Sequence, residues 1–169
     1  MSTSTAQHRC ESPRHVRCAV VTVSDTRTLE TDRGGKLVMD LLTAAGHSVP
    51  SREIVPDEPA RIRALLEKLV DPDAVDAVLI TGGTGIGARD QTYETINGLL
   101  TKTMPGYGEL FRMLSYDDIG PAAMLSRAIG GVIGTVVVLT MPGSTAAVQL
   151  AMDKLIVPEI GHLVYEARK

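Results

Sequence analysis

Short apolar runs rich in β-branched residues alternate along this chain with segments of helical periodicity, and this alternation restricts the fold more than any other feature. Three runs are predicted to be buried strands: Arg17–Val23, Asp76–Thr81 and Thr135–Thr140. A run that is apolar throughout is typical of a parallel strand covered on both faces. Strands that alternate with helices imply right-handed crossovers. We therefore predict a single-domain, three-layer α/β fold with a mostly parallel sheet.

The first two predicted helices have recognisable boundaries. After Asp32, a candidate cap, apolar side chains recur at helical spacing until Gly46 ends the pattern. A weaker strand over Val49–Val55 precedes a second helix that begins at Pro59, with Asp57 placed to cap it. Both helices are amphipathic, so each is expected to pack one face against the sheet.

The second half of the chain is predicted with less regular elements. Helical segments are expected at Thr92–Leu100, Gly108–Ser115 and Pro121–Ala128. The weakly polar stretch Ile129–Met141 is expected to be buried strand, and it is too short to span a membrane. Two further helices, broken by Pro158, complete the chain.

Composition excludes several classes of function. With 17 Lys and Arg against 20 Asp and Glu, the net charge is -3, which argues against a protein that binds the phosphate backbone of nucleic acid. Four Tyr, one Phe and no Trp give little support for base stacking. Residues 1–15 are predicted to be a flexible polar tail before a domain at 16–169, and because the tail has no apolar signal core, we expect a cytoplasmic protein.

Glycine, hydroxyl and carboxylate residues collect where the predicted strands end. These exits are Ser24-Asp25, Pro56-Asp57, Gly82–Asp90 and Pro142–Ser144. Ligands of open α/β sheets lie beyond the carboxyl ends of the strands. The four exits are therefore the candidate site.

The exit after the third strand is the richest in glycine, with four glycines in the six residues 82–87. Successive amides in such a turn can form an anion-binding concavity, although a turn that only redirects the chain is the alternative. The letters GTGIGA also match a dinucleotide fingerprint, so a nicotinamide dinucleotide enzyme is a weaker alternative function. That fingerprint belongs after the first strand of its fold, however, and this run follows the third.

Two carboxylates near this turn suit a magnesium ion that also binds substrate phosphates, namely Asp57 and Asp90. A helix cap is the alternative role for Asp57, and a surface ion pair with Arg89 is the alternative for Asp90. The spacing of Glu109 and Arg112 favours another ion pair, on a helix surface.

Six motifs together carry a resemblance over roughly residues 17–166. They are VSDTR at Val23–Arg27, VPDE at Val55–Glu58, TGGTGIGARDQT at Thr81–Thr92, MPGYGELFR at Met104–Arg112, AMLSRA at Ala123–Ala128 and MPGS at Met141–Ser144. In this order and spacing the chain resembles the MoaB/MogA family of molybdenum cofactor biosynthesis proteins, and its MoaB branch in particular.

The resemblance implies a molybdopterin-binding fold that assembles as a trimer or hexamer, and it leaves open which other enzymes of the pathway are partners. It also implies transfer of AMP from Mg²⁺-bound ATP to molybdopterin, with Asp57 and Asp90 as catalytic and metal-binding residues. A carrier or scaffold that binds molybdopterin without chemistry is the alternative. The substrate- and phosphate-binding residues implied by the motifs are Ser24, Gly82, Gly83, Thr84, Gly85, Glu109, Ser126, Pro142, Gly143 and Ser144.

Overall fold

Six strands form a single sheet in the computed structural model, which describes residues 11–169. The strands are β1 (Arg17–Val23), β2 (Ser48–Val55), β3 (Ala77–Thr81), β4 (Lys102–Thr103), β5 (Gly130–Ile133) and β6 (Val136–Met141). Their order across the sheet is β2-β1-β3-β6-β5-β4. The first four strands in this order are parallel, whereas β5 and β4 run antiparallel to their neighbours. The predicted mostly parallel sheet is confirmed.

Helices cover both faces of the sheet. They are α1 (Arg33–Ala44), α2 (Pro59–Leu69), α3 (Thr92–Asn97), α4 (Pro105–Ile119), α5 (Thr145–Ala151) and α6 (Val157–Ala167). One face packs against α1, α4, α5 and α6, and the other packs against α2 and α3. The chain therefore has the predicted three-layer architecture.

The buried strands show why their sequences are apolar throughout. In β1, Cys18 and Val20 face one hydrophobic cluster, while Ala19 and Val21 face the other. Successive side chains of a strand point to opposite faces, so a strand covered on both sides needs apolar residues at every position. Burial also raises the pKa of the Cys18 thiol to about 12. This cysteine therefore packs as a small apolar group.

Helix α1 begins and ends where the sequence predicts. The carboxylate of Asp32 accepts the backbone N–H of Gly35 at 2.9 Å, which caps the first turn. Beyond the last turn, Gly46 has a φ of 86°, a left-handed conformation that favours glycine. These boundaries place the amino end of α1 beside the carboxyl end of β1.

Two predictions for the part of the chain after residue 128 were wrong. The stretch Ile129–Met141 is not a single strand but a β5–β6 hairpin, because Gly134 adopts a φ of 59° and reverses the chain. Its antiparallel partner β4 has only two residues, too few for a periodic signal. The last helical region is also not broken at Pro158, because a π-helical turn over Met152–Ile156 joins α5 to α6 and accommodates the proline.

Helix α4 is longer than the predicted segment Gly108–Ser115, because it begins at Pro105, two residues after β4 ends, and continues to Ile119. The predicted helix Pro121–Ala128 is instead a 3₁₀-helix over Gly120–Leu125, followed by extended chain. Gly120, with a φ of 60°, ends α4 and changes the direction of the chain. As a result, residues 126–129 run back toward the sheet.

The N-terminal segment is described from residue 11 onward, so residues 1–10 of the predicted tail lie outside the described part. Residues 11–15 lie against the end of the fold formed by α6 and the α1–β2 turn. The Tyr165 hydroxyl donates to Glu11, and His15 Nδ1 lies 2.7 Å from the Gly46 carbonyl oxygen. Among residues 11–169, no helix combines the length and apolar character needed to cross a membrane.

Candidate functional site

The carboxyl ends of β1, β3 and β6 border a pocket of about 390 Å³. Two helices, α1 and α5, begin at its rim, and the Ser144 hydroxyl caps α5 by accepting the N–H of Ala147 at 3.2 Å. The predicted site residues in its lining are Ser24, Gly82, Gly143 and Ser144. Three of the four predicted strand exits thus border one pocket.

The pocket carries positive charge that the sequence interpretation overlooked. Arg27 and Arg33 line it together with Asp32. Asp32 is buried and paired: Arg52 Nη2 donates to its carboxylate at 3.0 Å and Thr22 Oγ1 donates at 2.8 Å. Burial alone would raise the pKa of Asp32, but these hydrogen bonds and that from Gly35 hold it below its usual value. The two arginines therefore leave the pocket suited to an anion.

The turn after β3 requires glycine at its first two positions. Gly82 and Gly83 have φ values of 96° and 64°. A Cβ on Gly82 would lie 2.3 Å from the carbonyl oxygen of Val23, and one on Gly83 would lie 2.0 Å from Thr92 Oγ1. With glycine at both positions, the backbone of the turn approaches β1 and α3 more closely than it could if either residue had a side chain.

Four successive backbone amides in this turn are available to a ligand. The N–H groups of residues 83–86 donate to no acceptor among residues 11–169, whereas the N–H of Gly82 donates to Met141 at 3.0 Å. Consecutive unpaired amides form a concavity that binds anions. The turn therefore stays a candidate anion-binding loop, with the buried residue Thr84 near its centre.

The letters GTGIGA lie within this turn and do not open a helix. They occupy residues 83–88, and α3 begins only at Thr92. In the dinucleotide fingerprint, the glycines lead directly from the first strand into a helix. The run therefore lacks the setting that the nicotinamide alternative requires.

Asp57 lies at the exit of β2 and is 6% exposed. Its carboxylate accepts the N–H of Gln91 at 3.2 Å and the hydroxyl of Thr92 at 3.4 Å. Asp57 therefore does not cap its own helix as predicted: Glu58 precedes α2, and the Asp57 side chain turns toward the start of α3 instead. Burial raises the pKa of Asp57, and the negative charges of Asp90 and Asp25 raise it further.

Asp90 closes the glycine turn from its far end. Its Oδ2 atom accepts the N–H of Gly87 at 2.9 Å, and its own N–H donates to the carbonyl of Gly87 at 3.0 Å. The expected ion pair with Arg89 does not form, because the Arg89 guanidinium binds Asp25 at 2.9 Å across the turn. The charge of Asp25 is thus compensated by Arg89, whereas the side chain of Asp90 contacts the backbone of the turn.

The two candidate catalytic carboxylates meet at the same turn. A Cβ on Gly83 would lie 2.5 Å from the Asp57 carboxylate, and one on Gly85 would lie 2.7 Å from that of Asp90. Neither acid lines the pocket described above, so the turn separates an acidic side from an anion-binding side. Within residues 11–169 no group of three His, Cys, Asp or Glu could hold a metal. Two carboxylates fit Mg²⁺, which commonly binds one or two together with substrate phosphates.

Six of the ten predicted binding residues do not line the pocket within one chain: Gly83, Thr84 and Gly85 lie in the glycine turn, Pro142 directly follows β6, and Glu109 and Ser126 lie on other elements. Glu109 is exposed on α4, and Ser126 follows the 3₁₀-helix. The predicted ion pair between Glu109 and Arg112 is absent from the described residues, because Arg112 instead points to the backbone carbonyls of Ser126 and Ala128. The residue after Ser126, Arg127, contacts the glycine turn directly.

Comparison with known proteins gives consistent matches. A family model described as "Probable molybdopterin binding domain" matches residues 19–162. "Molybdenum cofactor biosynthesis protein B" of Bacillus cereus is 53% identical over 167 residues, which covers 98% of this chain and 99% of the relative.

Solved structures agree with these matches. A crystal structure of molybdenum cofactor biosynthesis protein B has a TM-score of 0.88 at 55% identity and covers 93% of this chain and 98% of that one. The tungsten cofactor synthesizing protein MoaB from Pyrococcus furiosus has a TM-score of 0.84 at 34% identity, with coverage of 94% and 100%.

Proposed function

This chain belongs to the molybdopterin-binding domain family as a MoaB-type molybdenum cofactor biosynthesis protein, and we propose that it binds molybdopterin and transfers AMP from ATP to its terminal phosphate. The observation that carries this proposal is the row of four unpaired amides at residues 83–86, with carboxylates on one side and a cationic pocket on the other. Anion-binding amides beside two acids suit a transfer between phosphates.

The cationic pocket is the place we assign to molybdopterin and its phosphate. Ser24 and Ser144 offer hydroxyl groups there, and Arg27 and Arg33 offer guanidinium groups that match phosphate geometry. The turn that carries the free amides begins at Gly82, which borders the same pocket.

The transfer balances without a covalent protein intermediate. A terminal phosphate oxygen of molybdopterin forms a bond to the α-phosphorus of ATP, while the bond from that phosphorus to the oxygen bridging to the β-phosphate breaks. Pyrophosphate leaves with the electron pair of the broken bond. Because a phosphate monoester has a second pKa of about 6, the attacking oxygen is already ionised at neutral pH and needs no side-chain base. The protein contributes alignment and charge stabilisation.

Asp57 and Asp90 are the residues that would hold Mg²⁺, which would neutralise charge on the ATP phosphates when bound. Burial and the nearby negative charges raise the pKa of Asp57, and a cation would relieve that repulsion. Their other side-chain contacts are to backbone amides and a hydroxyl, and within residues 11–169 neither carboxylate forms an ion pair with a Lys or Arg side chain.

The test is to incubate the full chain with molybdopterin, ATP and Mg²⁺ and to measure pyrophosphate release. We expect turnover in the wild type and a loss of roughly 100-fold or more in Asp90→Asn, since charge-stabilising groups commonly contribute that much. Glu67→Gln, on the exposed surface of α2, is the control and should keep wild-type turnover.

Molybdopterin binding without pyrophosphate release by the wild type would remove the catalytic part of the proposal and leave the carrier function. The carrier alternative also predicts that Asp90→Asn binds molybdopterin as tightly as the wild type. Because Asp90 does not line the pocket assigned to molybdopterin, pyrophosphate release by the wild type separates the two functions, and calorimetric titration with molybdopterin tests the binding that both require.

We also propose that copies of this chain associate through an apolar surface on α4 and the 3₁₀-helix. The side chains that form this α4 surface are between 47% and 74% exposed; they are Leu110, Met113, Tyr116, Ile119, Met124 and Leu125. The first four recur every three residues, so they form one stripe along the helix. Large exposed apolar patches mark association sites, and the trimer or hexamer implied by the resemblance provides the partner.

A further inference from the structure

Arg127 connects the segment after the 3₁₀-helix to the glycine turn. Its Nε atom donates to the carbonyl oxygen of Thr84 at 3.4 Å, and its Nη2 atom donates to that of Asp90 at 3.1 Å and to that of Gly85. One guanidinium group thus binds three carbonyls of a single turn. We propose that Arg127 is a positioning residue that holds the turn in its ligand-binding conformation, an inference whose catalytic consequence rests on the proposed function.

Helix α3 fixes the guanidinium from the opposite side. Glu94 forms an ion pair with Arg127, and the guanidinium carbon lies 5.1 Å from the centre of the Tyr93 ring. A planar group with several donors can satisfy this many acceptors at once, which an ammonium group cannot do. The arginine is therefore held in place and can in turn hold the glycine turn.

The planarity of the peptide bond converts these carbonyl contacts into an orientation for the amides. In a trans peptide the C=O of one residue and the N–H of the next point in opposite directions. Where Arg127 binds the carbonyls of Thr84 and Gly85, the N–H groups of Gly85 and Ile86 must point away from it. These are two of the four unpaired amides.

The third carbonyl that Arg127 binds belongs to a peptide unit whose N–H group also has a hydrogen-bond partner. The carbonyl of Asp90 accepts from Arg127, and the N–H of the same peptide, on Gln91, donates to the Asp57 carboxylate at 3.2 Å. A single peptide unit therefore connects the Arg127 guanidinium to a candidate catalytic acid. Polarisation of that peptide by the cation strengthens the hydrogen bond to Asp57.

Arg127 acts through the backbone in this arrangement. Its donors are directed at the carbonyl side of the turn and at Glu94, so the amide side stays free for an anion. The resemblance to the MoaB/MogA family implies a binding role for Ser126 of the same Ser-Arg pair. The contacts to the turn belong to the arginine.

The test compares Arg127→Ala and Arg127→Lys with Arg168→Ala in ligand-free full-length protein. Arg168 pairs with Asp76 at the start of β3, so its variant also removes an arginine from an ion pair but leaves the glycine turn untouched. Hydrogen exchange is measured at three amides in the second half of the turn that have acceptors: Gly87, Asp90 and Gln91. We expect exchange roughly tenfold faster in both Arg127 variants and unchanged in Arg168→Ala.

Wild-type exchange at these three amides in Arg127→Ala would overturn the proposal, whatever the protein catalyses. If Arg127→Ala is unfolded by circular dichroism, Arg127→Lys decides, because lysine keeps the charge but its three donors on one compact group are too few for the three carbonyls and Glu94 together. In the pyrophosphate assay we expect kcat to fall at least tenfold in both Arg127 variants. Faster exchange in a protein whose wild type releases no pyrophosphate would support the positioning role and contradict only the proposed transfer.

Discussion

The carboxylate of Asp57 accepts the backbone N–H of Gln91, a residue 34 positions later in the chain, with both of its oxygens 3.2 Å from the amide nitrogen. This contact ties the exit of β2 to the end of the glycine turn that follows β3. It places Asp57 against Asp90, the residue before Gln91, and the two negative charges repel each other.

Burial and this repulsion together predict that the ionised carboxylate of Asp57 lowers the stability of the fold. Because burial and neighbouring charges raise its pKa, ionised Asp57 destabilises the fold above its ordinary pKa of 3.8. The penalty is absent at lower pH, where the carboxyl group is protonated. We therefore expect Asp57→Asn without ligands to melt above the wild type at pH 7, with the difference shrinking toward pH 3.8. Scanning calorimetry across this range measures it.

Asp25→Asn is the matched control, with the opposite sign. The Arg89 ion pair and the N–H of Asp57 lower the pKa of Asp25, so its ionised form stabilises the fold above the ordinary pKa. This variant should melt below the wild type at pH 7. A lower melting temperature for Asp57→Asn at pH 7 would contradict the interpretation of its environment.

Gly83→Ala should destabilise the protein and remove anion binding. Its φ of 64° is strained for alanine, and the new Cβ would lie 2.0 Å from Thr92 Oγ1. We expect a loss of about 2 kcal/mol or more in the free energy of unfolding, combining strain and displacement of α3. Urea denaturation gives the loss.

Gly134→Ala separates strain from the close contact. Gly134 has a similar φ of 59°, but nothing lies within 4 Å of the added Cβ. The strain alone should cost about 1 kcal/mol. Equal losses in the two variants would show that the turn after β3 has room for a side chain.

The strand exits could be predicted from the sequence because parallel strands end at a shared edge of the sheet. This rule alone predicts that Ser24, Gly82 and Ser144 come together, and the pocket confirms it. The role of Asp57 could not be predicted in the same way. An aspartate just before a helix that begins with proline can either cap that helix or contact a different one. The sequence does not distinguish these two roles, because the packing of α3 decides which contact forms.

The role of Arg127 and the fold of the second half of the chain could not be predicted from the sequence, because both depend on tertiary contacts. A Ser-Arg pair after an apolar segment gives no indication of which residue turns inward, because the path back to the sheet is set by Gly120 and the 3₁₀-helix. Likewise, Pro158 normally ends a helix, and the π-helical turn before it is a property of the packed structure.

The end of the sheet opposite the site has a separate dependence on pH at His47. The N–H of Val16 donates to His47 Nδ1 at 3.2 Å, so this nitrogen must be unprotonated. Burial lowers the pKa of His47, and the charge of His15 lowers it further. A lowered pKa means that the neutral ring is favoured in the fold, so stability is lost as pH falls below the ordinary value of 6.5.

His47→Gln keeps an acceptor for Val16 but does not titrate in this range. We expect its urea midpoint to change less between pH 7.5 and pH 5.5 than that of the wild type, measured at the same ionic strength. Midpoints that fall in parallel in the two proteins would place the pH dependence at another group.

The α4 surface predicts which substitution should dissociate the proposed oligomer. Met113 lies in the middle of the apolar stripe and is 59% exposed in one chain, so burial against a second copy would leave an introduced charge without water. We expect Met113→Lys to convert the assembly to a species near 18.0 kDa, the mass of one chain, by light scattering. Leu29→Glu is the control, because Leu29 is similarly exposed at 55% but follows β1, away from α4, and it should leave the mass of the assembly unchanged. A wild type that is itself monomeric would contradict the association, and an oligomeric Met113→Lys variant would place the interface on another surface.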